Sequence, residues 1–455
     1  MDLSALYRHT TATVVSPDGF VLSARGGTMV LRRGRSLEVI TSHVCAGATS
    51  IAHLAFSPDG RHFVACDEAG GRTWVFSVKP AGETARIDAG VEGCRGVRWL
   101  SDEAVAVWSE HGLRVSFYSL VDGSISHAAA PKHGPASGWA LRPGDSRYFA
   151  LLERHGGKDV LGLYDVESFE RVRHFALATA DAADIFWSPC GRYIAVAESP
   201  IDVTLYVYSI DGRQLAALSP PAGSDCGLGV RSVAWHPSSR YLCVGGWDGR
   251  IRTYGDLSWA LVSEVTLGSK LVSPETLVYR EPPDWIAHTR GKGIISFATS
   301  AGPTALPTVK PESSKPLPAL GVSALSFSHS GALLAATSAS TPRCVYLFAF
   351  DDDAGDGALA VAVHAVAIFN EPLSARSLDW ARGSRAPDLL AVAYGSPAVG
   401  VYGLSADAPA FEGVGVPACG GFAVRRATWT GDGARLVMAD PEAFCIGTPV
   451  DEDAM

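Results

Sequence analysis

Phe56-Ser57-Pro58-Asp59-Gly60, Trp187-Ser188-Pro189-Cys190-Gly191 and Trp235-His236-Pro237-Ser238-Ser239 are three spellings of one phrase: a large apolar residue, a small or polar one, proline, then two turn formers. Looser copies start at Val15, Trp99, Leu141, Phe327, Trp380 and Trp429. Each copy marks a place where an extended run ends and the chain reverses. A unit repeated along the whole chain decides the architecture before any single residue is weighed. It also moves the question of function from a reaction centre to a surface.

The anchors at 15, 56, 99, 141, 187, 235, 327, 380 and 429 are 41, 43, 42, 46, 48, 92, 53 and 49 residues apart. That spacing is close to the roughly 40–45 residues of a WD-type propeller blade. The segments between anchors agree. After Trp187 come Arg192-Tyr193-Ile194-Ala195-Val196-Ala197, then Val203 to Ser209, then the turn Asp211-Gly212-Arg213 leading into Gln214-Leu215. After Trp235 come Tyr241 to Gly246, the turn Trp247-Asp248-Gly249, and Arg250 to Tyr254. Short β-branched and aromatic runs cut by Asp, Gly and Pro read as antiparallel strand meanders. Asp-Gly suits a tight hairpin because glycine takes positive φ without steric cost. The last repeat has runs ending at Trp429, near Leu436-Val437-Met438 and near Phe444-Cys445-Ile446, one strand short, while Leu3 to Tyr7 belong to no complete repeat. The N-terminal segment is therefore expected to supply the missing strand and so cover an open sheet edge. The expectation is an all-β β-propeller over residues 1–455 with about nine four-stranded blades, as one enlarged ring or a fused pair. The long interval after Trp235 has room for a tenth, degenerate unit.

Composition narrows the class. With 455 residues, 47% hydrophobic and 19% charged, the chain can bury a large core. Its 48 glycines and 27 prolines fit a turn-dense β protein. A net charge of −9 argues against nucleic acid or an anionic membrane as the main partner. The nine cysteines form no C-x-x-C pair, and several, such as Cys243 and Cys445, fall in expected strands. They read as reduced, buried thiols of an intracellular protein. Met1-Asp2-Leu3-Ser4 lacks the look of a secretory signal, and the apolar stretch Ala358 to Phe369 is too short to span a bilayer. A soluble, cytoplasmic chain is expected.

Two segments break the rhythm. Residues 281–318 are proline-rich and read as an irregular insertion between repeats, a surface excursion with one strand-like island at Ile294-Ile295-Ser296-Phe297. Asp351-Asp352-Asp353-Ala354-Gly355-Asp356-Gly357 lacks the twelfth-position Glu of a calcium loop and reads as a solvated hairpin tip. The acidic tail at 449–455 reads the same way, and Arg32-Arg33-Gly34-Arg35 as an exposed basic turn. No catalytic, cofactor-binding or metal residue is assigned. Gly156-Gly157-Lys158-Asp159 and Arg290-Gly291-Lys292-Gly293 are not phosphate loops, and Gly227-Leu228-Gly229 precedes a strand rather than a helix. The thirteen histidines show no metal-ligand spacing with Cys or carboxylates along the sequence. His236 occupies a turn position and reads as a turn cap. Trp187, Trp235, Trp380 and Trp429 recur once per unit and read as packing residues, with Asp248 holding its hairpin through backbone N–H groups.

The run Gly229-Val230-Arg231-Ser232-Val233-Ala234-Trp235-His236-Pro237-Ser238-Ser239, continued by Tyr241-Leu242-Cys243-Val244-Gly245 and Asp248-Gly249-Arg250-Ile251-Arg252, resembles the spindle-pole and centrosome WD-repeat family. Tyr208-Ser209-Ile210-Asp211-Gly212-Arg213, Arg173-His174-Phe175, Ala150-Leu151-Leu152-Glu153-Arg154 with Lys158-Asp159, Val278-Tyr279-Arg280-Glu281 and Phe422-Ala423-Val424 keep the family order from about residue 3 to 448. The turn Leu100-Ser101-Asp102-Glu103 and residues 300–320 depart from it. The resemblance implies a non-enzymatic adaptor at centrosomes, centriolar satellites or spindle poles. Its implied partners are a coiled-coil anchoring protein and γ-tubulin-associated assemblies. Its implied roles are tethering microtubule minus ends, organising the spindle and supporting cilium assembly. The alternative is a translation-initiation-factor-like propeller that binds ribosome or RNA.

Overall fold

The computed structural model describes all residues except 9, 11, 35, 80–81, 222–226, 272, 292, 311–316, 352–358, 375–376, 384–387, 405–409, 417–420 and 450–455. The tract Asp352 to Gly357, most of the tail, Arg35, Lys292, Cys226 and Cys419 lie outside the described residues. Among the described residues strands dominate, and the helical elements are a 3₁₀ turn at Gly90–Glu92 and a short helix at Trp285–Thr289.

The strands form nine blade-like antiparallel meanders. Five, at residues 12–44, 53–88, 96–129, 139–176 and 182–218, belong to a unit made of His9–Ser199 and Thr204–Ser219. Four, at 230–266, 322–368, 378–415 and 426–448, belong to a unit made of Met1–Arg8, Pro200–Val203 and Pro220–Met455. Every anchor ends the first strand of its meander, as in His53–Phe56, Ala182–Trp187 and Arg426–Trp429.

The recurring phrase is a hydrogen-bonded turn with a buried hydroxyl inside it. Gly60, Gly191, Gly331 and Gly433 donate N–H to the carbonyls of Ser57, Ser188, Ser328 and Thr430. The hydroxyls of those same four residues accept from the amides of His62, Tyr193, Leu333 and Arg435 at 2.9–3.2 Å. The glycine closing each turn has φ between 68° and 83°, a region that costs other residues free energy. Where the third copy has Ser239 instead, that residue adopts φ 64°, and buried His236 bonds Ser238 Oγ through Nδ1 at 2.7 Å. His236 is therefore a turn cap.

Middle strands are buried on both faces, as along Ala104–Trp108 and Tyr241–Gly246, and so read as unbroken apolar runs. Fourth strands such as Arg171–Ala176 are largely exposed. The core is a series of clusters, most of them joining successive sheets: one holds Trp74 with Leu22 and Met29, another Trp187 with Leu152 and Leu161. The anchor tryptophans stitch neighbours together by a second means. Trp99, Trp187 and Trp380 donate indole N–H to the carbonyls of Ala55, Ala140 and Ser326 in the preceding sheet, at 3.2, 3.3 and 3.0 Å. Trp235 is half-buried and packs edge-on against Trp259.

The N-terminal segment completes the last sheet. Asp2–Leu3 and Tyr7–Arg8 both pair with Ala443–Thr448, Ser4 N–H donates to Ile446 O at 2.9 Å, and Tyr7 stacks on Phe444. Among the described residues six of the nine meanders are four-stranded sheets and three are wider, and a separate two-stranded ribbon pairs Lys270–Leu271 with Thr304–Ala305. The interval after Trp235 holds no tenth meander among the described residues. Instead Leu277–Arg280 and Ala298–Ala301 widen the seventh sheet to six strands, and Ile294–Ser296 joins the eighth. The insertion thus carries more than one strand-like island. Pro282, Pro283, Pro303, Pro307 and Pro318 flank the strands rather than interrupt them, so ladder amides stay available.

Candidate docking cleft and polar centres

The inserted segment builds an open cleft. After Leu277–Arg280, Pro282-Pro283 end the ladder, Asp284 turns at φ 56°, and the helix Trp285–Thr289 follows. Glu281 is the fastener. Its buried carboxylate accepts from Trp285 Nε1 at 2.7 Å, Tyr394 OH at 2.8 Å and Asn370 N at 2.7 Å. Burial, reinforced by the Glu281 charge, raises the Tyr394 phenol well above its ordinary value, so it stays a donor. Around this knot lies an open cleft of about 570 Å³ lined by Asp284, Ile286, Glu371, Ser396 and Pro397 among others. That is ordinary for a binding site. Besides Glu281, the lining offers apolar surface with two further carboxylates, Asp284 and Glu371.

The other polar centres sit mainly at hairpin ends. Asp159, fully buried, accepts from Lys132 Nζ at 2.8 Å, Thr179 Oγ1 at 3.1 Å and Ala182 N at 2.6 Å. Lys132 also meets Asp181 at 2.9 Å, and that hydrogen bond holds the Asp181 carboxyl below its usual range. Asp248 accepts from Arg250 N at 3.1 Å and from the buried Arg252 guanidinium, which reaches on to Glu264 at 2.8 Å. These centres hold turns in place. Gly156 and Gly157 form a hairpin turn with φ 58° and 81°, and Gly227-Leu228-Gly229 lead into the strand Val230–Trp235. Neither cradles a phosphate on a helix. Seven described cysteines are free thiols, and Cys66 and Cys94 approach to 3.2 Å.

One cluster escaped linear reading. Glu153 and His155 lie on Tyr148–His155, and His174 on Arg171–Ala176, with Lys158–Asp165 running between. Glu153 Oε2 is 2.6 Å from His155 Nε2 and 3.2 Å from His174 Nε2. Tyr164 OH donates to Glu153 Oε1 at 2.5 Å, and burial together with that carboxylate pushes the phenol upward. The fold supplies a His–carboxylate pairing that sequence spacing did not show. The available signal was parity: residues two apart on a strand share a face.

Comparison with known proteins agrees with the fold. The profile of the "WD domain, G-beta repeat" family matches residues 34–74 and 212–254. The chain is 28% identical over 350 residues to the mouse (Mus musculus) "WD repeat-containing protein WRAP73", covering 73% of this chain and 74% of that protein. It is 22% identical over 257 residues to an uncharacterised WD-repeat protein of Schizosaccharomyces pombe, covering 54% and 52%. Among solved structures, the C-terminal WD40 domain of Sif2 is similar with a TM-score of 0.50 at 12% identity, covering 98% of this chain and 99% of that one. That last likeness concerns fold alone.

Proposed function

From the premise that this chain is a WD-repeat β-propeller protein related to WRAP73, we propose that it is a non-enzymatic adaptor of the centrosome or spindle pole. It binds a coiled-coil anchoring protein and through it helps tether microtubule minus ends, organise the spindle and support cilium assembly. The observation carrying this reading is the ordered set of spindle-pole family phrases, from Ala150-Leu151-Leu152-Glu153-Arg154 to Phe422-Ala423-Val424, together with relatedness over 73% of the chain. The cleft beside Glu281 is the docking element. Its apolar surface suits one face of a helix and its carboxylates suit a basic flank of that helix. Sheets already fixed by packing need little ordering on association, which lowers the cost of binding.

The test is a tagged full-length chain followed through mitosis and purified from dividing cells. Signal at the poles and recovery of coiled-coil and γ-tubulin-associated proteins are expected. Asp284→Lys with Glu371→Lys should reduce that recovery at least about tenfold, as reversal of an interface charge pair does. Diffuse signal at every stage, or recovery of ribosomal subunits, overturns the reading.

A further inference from the structure

We propose that Glu153, His155 and His174 form a zinc site with three protein ligands and a fourth position open to water. Two imidazoles and one carboxylate are a donor set that zinc accepts in open, four-coordinate sites. Imidazole donors also set the cluster apart from calcium and magnesium sites, which are built from oxygen. The three ligand atoms lie within 4.8 Å of one another. Zinc bonds of about 2.0–2.1 Å in a tetrahedron separate ligand atoms by about 3.3 Å. The 3.2 Å between Glu153 Oε2 and His174 Nε2 already matches. The 2.6 Å to His155 has to open by several tenths of an ångström. His155, with 38% of its side chain exposed, is free to make that movement.

The surroundings are built to hold the carboxylate. Glu153 is 1% exposed, and its second oxygen is fixed by Tyr164, the kind of outer contact that orients metal ligands. Gly162 pairs with Leu151 on one side and His174 on the other. A Cβ there would overlap Glu153 Oε1 and the Tyr164 ring. The glycine is a notch across which the carboxylate leans from the second strand toward the fourth. Arg171 is the cation near Tyr164. The two histidines, 38% and 32% exposed, leave the ion a face toward solvent.

The experiment uses the full chain, stripped with chelator and titrated with Co²⁺, then Zn²⁺. One equivalent of Co²⁺ should give the visible bands of a four-coordinate ion, and Zn²⁺ should abolish them. His155→Ala and His174→Ala should each lose the bands. Tyr164→Phe should weaken binding by about 10–100-fold, as loss of an outer-shell partner does. Cys190→Ser, at an exposed thiol elsewhere, should bind like the parent. Circular dichroism of each variant separates lost ligands from lost fold. The proposal is overturned if no four-coordinate spectrum forms, or if folded His155→Ala and His174→Ala keep it unchanged.

Discussion

Replacing Asp159 by alanine tests how the hairpin ends are held. Asp159 is fully buried, and Lys132, whose ammonium it accepts at 2.8 Å, is only 6% exposed. Truncation leaves that ammonium with Asp181 alone, itself 59% exposed and 2.9 Å away. It also removes the acceptor for Ala182 N and Thr179 Oγ1. Breaking one side of a buried ion pair costs about 3–5 kcal/mol, and each orphaned buried donor adds about 1–3 kcal/mol. The remaining Asp181 contact offsets part of this, so about 4 kcal/mol is expected. Lys132→Met leaves Asp159 three other donors, Ala182 N, Thr179 Oγ1 and Arg154, and should cost about 2 kcal/mol. The double variant should cost less than the sum, by about 1–3 kcal/mol of coupling. Native-state hydrogen exchange of the strand amides in Tyr148–His155 and Lys158–Asp165 reads this locally, without assuming one cooperative transition for the whole chain. A loss under about 1 kcal/mol in Asp159→Ala would refute the reasoning, because a buried ammonium cannot lose its main partner that cheaply.

Trp380→Ala should cost about 3–5 kcal/mol by thermal or urea unfolding, as large core truncations do, while Trp380→Phe loses mainly the bond to Ser326 O, about 1 kcal/mol. Burial raises the Asp379 carboxyl above its ordinary value although it accepts Trp429 N–H at 2.7 Å. The native state therefore holds that proton more tightly than the unfolded chain, and the contribution is lost as pH rises through the raised value. Asp379→Asn should accordingly melt higher than the parent at neutral pH, with the gain shrinking in acid. Burial pushes the thiols of Cys45, Cys243 and Cys344 up to about 12, so iodoacetamide at mildly alkaline pH should label exposed Cys190 and spare these three in peptide mass spectra.

The repeat was legible because its signal is local. Ser57, Ser188 and Ser328, and the glycines three residues on, serve the same turn in each sheet, so one phrase reports one geometry. The closing strand was legible by counting, since a sheet left one strand short implies a donor elsewhere in the chain. What stayed hidden depends on distant pairing. Leu277–Arg280 runs parallel to residues on Ala360–Ile368, and no turn in the sequence announces a partner that far away. Glu153 and His174 meet only because Gly162 removes a side chain between them, and a single glycine in an apolar strand says nothing of what crosses it. Trp235 carries the repeat's phrase yet is half-buried, since exposure is set by neighbours rather than by the phrase.

Glu281 shows why the cleft can be both rigid and a place for specificity. Its carboxylate gathers Trp285 from the inserted helix, Asn370 after the last strand of the seventh sheet, and Tyr394 after the second strand of the eighth. The backbone N–H of Glu281 adds a bond to Ile368 O at 3.0 Å. One side chain therefore locks the crossing segment to two sheets, and Asp284 and Glu371 are presented on a frame that does not have to form when a partner arrives. Framework and recognition are then separable by substitution. Glu281→Leu orphans two buried donors and the half-buried Asn370 N–H and should destabilise the unit by about 3–6 kcal/mol, whatever it does to binding. Asp284→Lys and Glu371→Lys change charge at the cleft lining and should shift melting little, surface substitutions being within about 0.5 kcal/mol, while partner recovery falls. If the lining variants melt early, or if Glu281→Leu leaves stability intact, then Glu281 is not the fastener and the cleft is not preformed.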